Sequence, residues 1–190
     1  GLYPEGTKLY DNIAAVLQTG FSQQHNIAVE GGTDKITVRG SGAYTDQKGV
    51  VKTTDFTKLN ISLNGRAEIT KWLNFEANMS YAGTTNTKAL KGNGGPLQKA
   101  VRWPLTDNML DWQNPDGSQR QPNLYTDTDL LNPLFALYKN RNYDETERMQ
   151  VNFSLNATPT KNTFIRATMG WDVGIGNYEY HTHPWYANPT

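Results

Sequence analysis

From Leu59 to Ile69 every second position is apolar or lacks a side chain: Leu59, Ile61, Leu63, Gly65, Ala67, Ile69. The positions between them, with Lys58 ahead, are Lys58, Asn60, Ser62, Asn64, Arg66 and Glu68. A period of two puts one set on each face of a β-strand. Such a strand has an oily side and a wet side, so it must lie at a boundary between the two.

The same alternation recurs, and it predicts six strands. They run over Ser22–Gly31, Lys35–Thr45, the Leu59–Ile69 segment, Leu73–Tyr81, Arg148–Thr158 and Thr163–Asp172. Between the first two, Gly31-Gly-Thr-Asp34 offers residues that accept the positive φ of a tight turn. Thr70-Lys-Trp72 and Pro159-Thr-Lys-Asn162 make the third and fifth connections equally short. The second connection, 46–55, is a polar loop. The fourth is a long insertion, 82–145, with short helices expected near Pro96–Val101 and Asn132–Tyr138. A further helical turn or two is expected within Leu9–Leu17. In an up-and-down meander the three tight turns share one rim and the long connections share the other.

The 18 basic and 18 acidic residues cancel, which gives no electrostatic case for a nucleic-acid partner. Without a long apolar run, and at a mean hydropathy of −0.69, no segment can form a transmembrane helix. A transmembrane barrel stays open, because alternation dilutes apolarity. There is no cysteine, hence no disulfide framework and no thiolate site. The chain starts at Gly1 and stops in the polar, aromatic run His181–Thr190, which reads as an internal piece of a longer polypeptide.

Two architectures satisfy this pattern. One is an all-β, antiparallel up-and-down transmembrane β-barrel segment, about six strands of a larger barrel, with short periplasmic turns and long extracellular loops. The other is a soluble or surface-exposed β-sandwich that binds glycans. The predicted segments run to about 10 residues, the length of a tilted membrane strand, whereas soluble strands average roughly 5 or 6. No Lys or Arg falls on the oily faces, where each would cost about 2–4 kcal/mol at mid-bilayer. Tyr44, Tyr81 and Trp171 lie on the oily face toward the long-loop end, where an aromatic girdle would meet lipid headgroups. The barrel is the reading adopted. It divides the chain into an entry segment (1–21), a partial barrel wall (22–173, with the 82–145 loop) and the start of a further loop (174–190).

Candidate sites are few. His181 and His183 have no third ligand type beside them, so a solvated loop pair is expected and no metal. Asp107, Asp111, Asp116, Asp127 and Asp129 lack the spacing of a Ca²⁺ loop. Gly92-Asn-Gly-Gly-Pro96 lacks the Gly-Lys-Ser/Thr ending of a phosphate loop. Asn60, Asn78, Asn152 and Asn156 begin N-x-Ser/Thr sequons, but their place on wet strand faces favours lumenal hydrogen bonding. No catalytic triad can be assembled, and nothing near Asp144 and Glu145 would raise a carboxyl pKa, so no enzyme and no cofactor is expected. Trp103, Trp112 and Tyr125 in the long loop could stack on sugar faces or pack on peptide side chains, or else hold the loop on its neighbours. Arg66, Glu68, Glu76 and Arg166 would face the lumen.

Several segments resemble the SusC/RagA family of TonB-dependent outer-membrane transporters. Thr19-Gly-Phe-Ser-Gln-Gln-His-Asn-Ile-Ala-Val-Glu-Gly-Gly32 is similar to the family's first barrel strand and its Gly-Gly turn. Gly42-Ala-Tyr-Thr-Asp-Gln-Lys-Gly-Val50 with Thr54-Asp-Phe-Thr-Lys58 is similar to the loop after its second strand. Asp116-Gly117, Asn132-Pro-Leu134 and Arg148 follow in the family's order, while Leu9-Tyr-Asp-Asn-Ile13 lacks an expected Trp. The resemblance spans most of residues 10–173. It implies a barrel of about 22 strands with an N-terminal plug, in the outer membrane of a Gram-negative bacterium. It also implies TonB–ExbB–ExbD acting through that plug, a SusD-like lipoprotein lid, and an oligosaccharide or peptide as cargo.

Overall fold

In a computed structural model, which describes residues 3–122 and 131–187, one antiparallel sheet carries the strands in sequence order. They are β1 (Phe21–Gly32), β2 (Ile36–Lys48), β3 (Asp55–Thr70), β4 (Leu73–Thr87), β5 (Arg141–Thr160) and β6 (Thr163–His181). Residues 33–35, 71–72 and 161–162 make the tight turns. Residues 49–54, 88–122, 131–140 and 182–187 lie at the opposite rim. Short helices punctuate that rim: α1 (Asn12–Val16), α2 (Pro96–Arg102), α3 (Pro133–Lys139) and α4 (Pro184–Ala187). Among the described residues no helix is long and apolar enough to cross a membrane.

The register turns the alternation into rows that cross the sheet. One oily row reads Val29, Gly40, Leu63, Met79, Val151, Trp171. Among the described residues no second sheet covers these rows; Leu63 is 50% exposed and Ile27 70%. A sandwich would bury one face of each sheet, so the fold is the open barrel-type wall and not the sandwich.

The oily rows extend from Leu73–Ala157–Ile165 up to Tyr44–Leu59–Gly83. Leu73 to Gly83 is ten residues, about 33 Å along a strand, or about 25 Å of height at a tilt of about 40°. That is the height of the apolar band of an outer-membrane barrel.

The turns confirm a slant. Below the row Thr37–Arg66–Glu76–Ser154–Thr168, pairing stops at once in the β1–β2 hairpin. It continues to Thr70–Leu73 in the next hairpin and to Thr160–Thr163 in the last. The second hairpin tip therefore sits three to four residues lower than the first and the third two lower than the second, an average of about three. This corresponds to about 40° of strand tilt when strands are spaced about 4.8 Å apart.

The strands overrun their expected ends at the long-loop rim. β4 continues through Thr87, β5 begins at Arg141 and β6 reaches His181. On β4 and β5 both faces are polar or small here and the alternation vanishes, while β6 still carries Val173 and Ile175; the backbone ladder continues across all three. Hydroxyl pairs reinforce it, Thr57 with Thr85 and Thr84 with Thr146, both at 2.5 Å.

The buried core lies at this rim, not in the sheet. Ala15 and Val16 of α1, Ala100 of α2, Trp103, Met109 and Leu134 of α3 form one cluster.

Candidate functional site

The polar face of the wall carries Arg66 and Glu76 as register partners. One row lower lie Glu68, Asn74, Asn156 and Arg166, with opposite charges at the two ends of the row. Above them Asn64, Asn78 and Asn152 sit side by side, followed by Ser41, Ser62 and Ser80, with Ser41 and Ser62 hydroxyls at 2.7 Å. The sequon asparagines Asn78, Asn152 and Asn156 thus belong to a continuous amide and hydroxyl surface. Higher still, Arg148 grips the Asp172 carboxylate with two nitrogens (Nε–Oδ1 2.8 Å), and Gln150 donates to the same group at 3.0 Å. Lys88 is ion-paired with Asp144 at the top of this face.

On the oily face, Tyr44, Tyr81 and Trp171 fall on successive rows, one row lower for every two strands, in the same sense as the turns. They stand within the upper apolar band and not at strand ends, and β6 adds Val173 and Ile175 above Trp171. The Tyr81 ring lies over Gly83, where a Cβ would meet it, and its hydroxyl donates to Glu147 Oε1 at 2.9 Å. An aromatic ring over a strand glycine shields the backbone there. Glu147 stands in the top row of the band, beside Gly83 and above Met149, so on that strand the rows below it hold no charged group.

The rim is a folded cap. Asp11 caps α1 by accepting from Ala14 N (2.9 Å), and Asn132 caps α3 by accepting from Leu134 N (3.0 Å), with Pro133 at the first helical position. Asn12, 3% exposed, uses all of its side-chain amide. Its Nδ2 donates to the carbonyls of Pro104 (3.0 Å) and Asp107 (3.1 Å), and its Oδ1 accepts from Met109 N (3.1 Å). Arg120 forks onto Asp107 (3.1 and 2.5 Å), whose carboxylate also accepts from Trp103 Nε1 (2.9 Å). That carboxylate raises the Arg120 pKa. Ser118 donates to Asp116 through N (2.9 Å) and Oγ (2.6 Å), which lowers the Asp116 pKa. The turn closes on Gly117 at φ +88°.

Each candidate residue can now be located. Trp103 is 2% exposed and packed inside the cap, not presented on its surface. Trp112 is half-buried, stacked on Tyr138 at 5.2 Å and edge-on to Phe135 at 6.0 Å. Tyr125, Asp127 and Asp129 lie outside the described residues. His183 rests edge-on against Phe135 (5.3 Å) and its Nδ1 accepts from Trp185 N (3.3 Å), whereas His181 ends β6 opposite Arg141. Sequence reasoning missed Asn12, the Arg120–Asp107 clamp and the Phe135–Tyr186 stack (6.5 Å, 4°). Burial drives the Tyr186 hydroxyl up to about 12. None of these left a local signal, in contrast to the Asn132-Pro133 cap of α3.

No protein-family model matches the chain. It is 28% identical over 140 residues to the TonB-dependent receptor SusC of Bacteroides thetaiotaomicron, covering 72% of this chain and 14% of that protein. Its fold matches the RagAB peptide importer in the closed-closed state (TM-score 0.69, 24% identity, 88% of this chain and 19% of that one). The open-open state is matched to the same degree (TM-score 0.68, 23% identity, 87% and 19%). The chain therefore spans about a seventh of the receptor and a fifth of the importer chain. The proteins matched are a receptor and an importer, not enzymes. Sequence and fold together support a SusC/RagA-like barrel segment.

Proposed function

We propose that this SusC/RagA-like segment is wall and external rim of a TonB-dependent outer-membrane transporter in a Gram-negative bacterium. The observation that carries the proposal is the uncovered oily band. Five apolar rows, and a sixth that also carries His25 and Glu147, face outward with no second layer over them among the described residues, while the same chain builds a dry core elsewhere. Lipid is the solvent that such a face fits. The two outer strands, β1 and β6, leave unpaired backbone N–H and C=O groups, which hydrocarbon does not tolerate. The remaining strands of the same barrel would satisfy them.

In this reading the short turns are periplasmic and the cap is extracellular. Tyr44, Tyr81 and Trp171 sit at the outer lipid interface. Arg66, Glu68, Glu76 and Arg166 face the lumen, where they meet a plug or line the path. The cargo is a nutrient too large for passive pores, an oligosaccharide or a peptide. It is admitted with a SusD-like surface lipoprotein and driven by TonB–ExbB–ExbD acting through a plug region. Of the candidate loop aromatics, Trp112, partly exposed beside the more exposed Tyr138, is the one open to contact with lid or cargo.

The test is uptake by cells that express the full-length protein, offered a fluorescent maltooligosaccharide mixture and a fluorescent tryptic peptide mixture. Uptake of one mixture that disappears when TonB is deleted supports the reading. A full-length protein that stays in solution without detergent and shows no TonB-dependent uptake overturns it.

A further inference from the structure

We infer that the long-loop rim of this wall is one fixed body, assembled from five chain segments and keyed by Asn12, and not a set of independently moving loops. The segments are residues 3–20, 49–54, 88–122, 131–140 and 182–187. Leu17 and Val51 form an antiparallel bridge, with Gln18 N donating to Val50 O (2.8 Å) and Lys52 N to Val16 O (3.0 Å). This ties the segment before β1 to the β2–β3 loop. Asn12 then ties it to residues 104–109 through its three hydrogen bonds, and Tyr10 N donates to Leu105 O (2.8 Å).

Thr53 Oγ1 donates to Leu137 O (2.9 Å), which joins the β2–β3 loop to α3. The segment after β6 closes the assembly, because His183 N donates to Asn140 Oδ1 (2.9 Å) and Tyr186 stacks on Phe135. The apolar cluster runs through the same pieces, from Val16 across Ala100, Trp103 and Met109 to Leu134. Residues some ninety positions apart thus share one dry interior, and none can leave without exposing the others. Opening free energy is then common to all five segments.

Hydrogen exchange on the detergent-solubilised full-length protein, without cargo, tests this. Asn12→Ala leaves buried backbone groups without partners. It is expected to speed exchange of the distant Lys52 and His183 amides by about tenfold or more, with wall amides such as Leu63 unmoved. Leu17→Cys with Val51→Cys uses a pair that, by its flanking bonds, is non-hydrogen-bonded, with Cα atoms about 4.5 Å apart, within disulfide reach. Once oxidised, it is expected to slow exchange at Met109 and His183 by about tenfold. Effects confined to the mutated seam, wall amides that move in step with the rim, or failure of the disulfide to form would each overturn the inference. Since no cargo or transport enters the readout, this test can fail while the transporter reading stands, and the reverse.

Discussion

Leu63 in the wall is half exposed and Leu134 in the cap is 1% exposed, although both are leucines of one small chain. The cap satisfies Leu134 in the ordinary way, with Trp103, Met109 and Val16 arranged around it and buried hydrogen bonds at its margins. The wall surrounds Leu63 only with other residues of the same open sheet, and gains its order from the backbone ladder and the cross-strand side-chain pairs on it. The lesson is that apolar residues in the two regions are selected for different solvents. Cap side chains must fit one another, so shape matters; wall side chains need only be greasy, so shape hardly does.

Four changes would break or sharpen this contrast in the full-length protein. Trp103→Ala should cost the cap about 3–5 kcal/mol through the cavity it leaves. Limited proteolysis should then cut the rim readily while the barrel keeps its heat-dependent gel mobility. Leu63→Arg should cost the wall about 2–4 kcal/mol, while Asn64→Arg one residue away is tolerated. Refolding into lipid vesicles from urea separates the two, and equal effects would remove the basis for a lipid-facing side.

The third change is alkaline pH. Because burial raises Tyr186 from 10.0 to about 12, its contribution is complete below pH 10 and is lost as pH rises through 12. The loss is at most about 3 kcal/mol before allowance for its exposed part and for the Lys99 ammonium that donates to the hydroxyl (2.7 Å). Protease sensitivity of the cap should climb across that interval, and Tyr186→Phe should remove the step. Last, Glu30→Gln on the polar face breaks an exposed pair with Arg39 (3.6 Å) and should shift refolding by less than about 1 kcal/mol.

How much was legible follows from the same contrast. The wall could be read because its solvent boundary is written locally, one residue in and one out. Strand ends could not be read, since 82–87 and 141–147 lie above the apolar band where both faces are polar. The short helices were visible through their Pro and Asn punctuation at 96 and 132–133. The interior of the cap was invisible. Asn12 meets Met109 across ninety-seven positions, and no periodicity links them. Trp103 and Trp112 looked like exposed aromatics in a polar loop because their partners, Phe135, Tyr138 and Asp107, are scattered along the chain.

The descending hairpin tips carry a consequence for assembly. A ribbon whose lower margin slides in the same direction at each fold has a built-in pitch, like the thread of a screw. Any strand added at β1 or β6 has to enter at the height that this thread dictates, so a neighbour shifted by two residues would keep its faces and still miss its bonds at the margin. Growth of the wall is thereby metered along its length, and the stagger that finally lets its first and last strands meet is already present in these six.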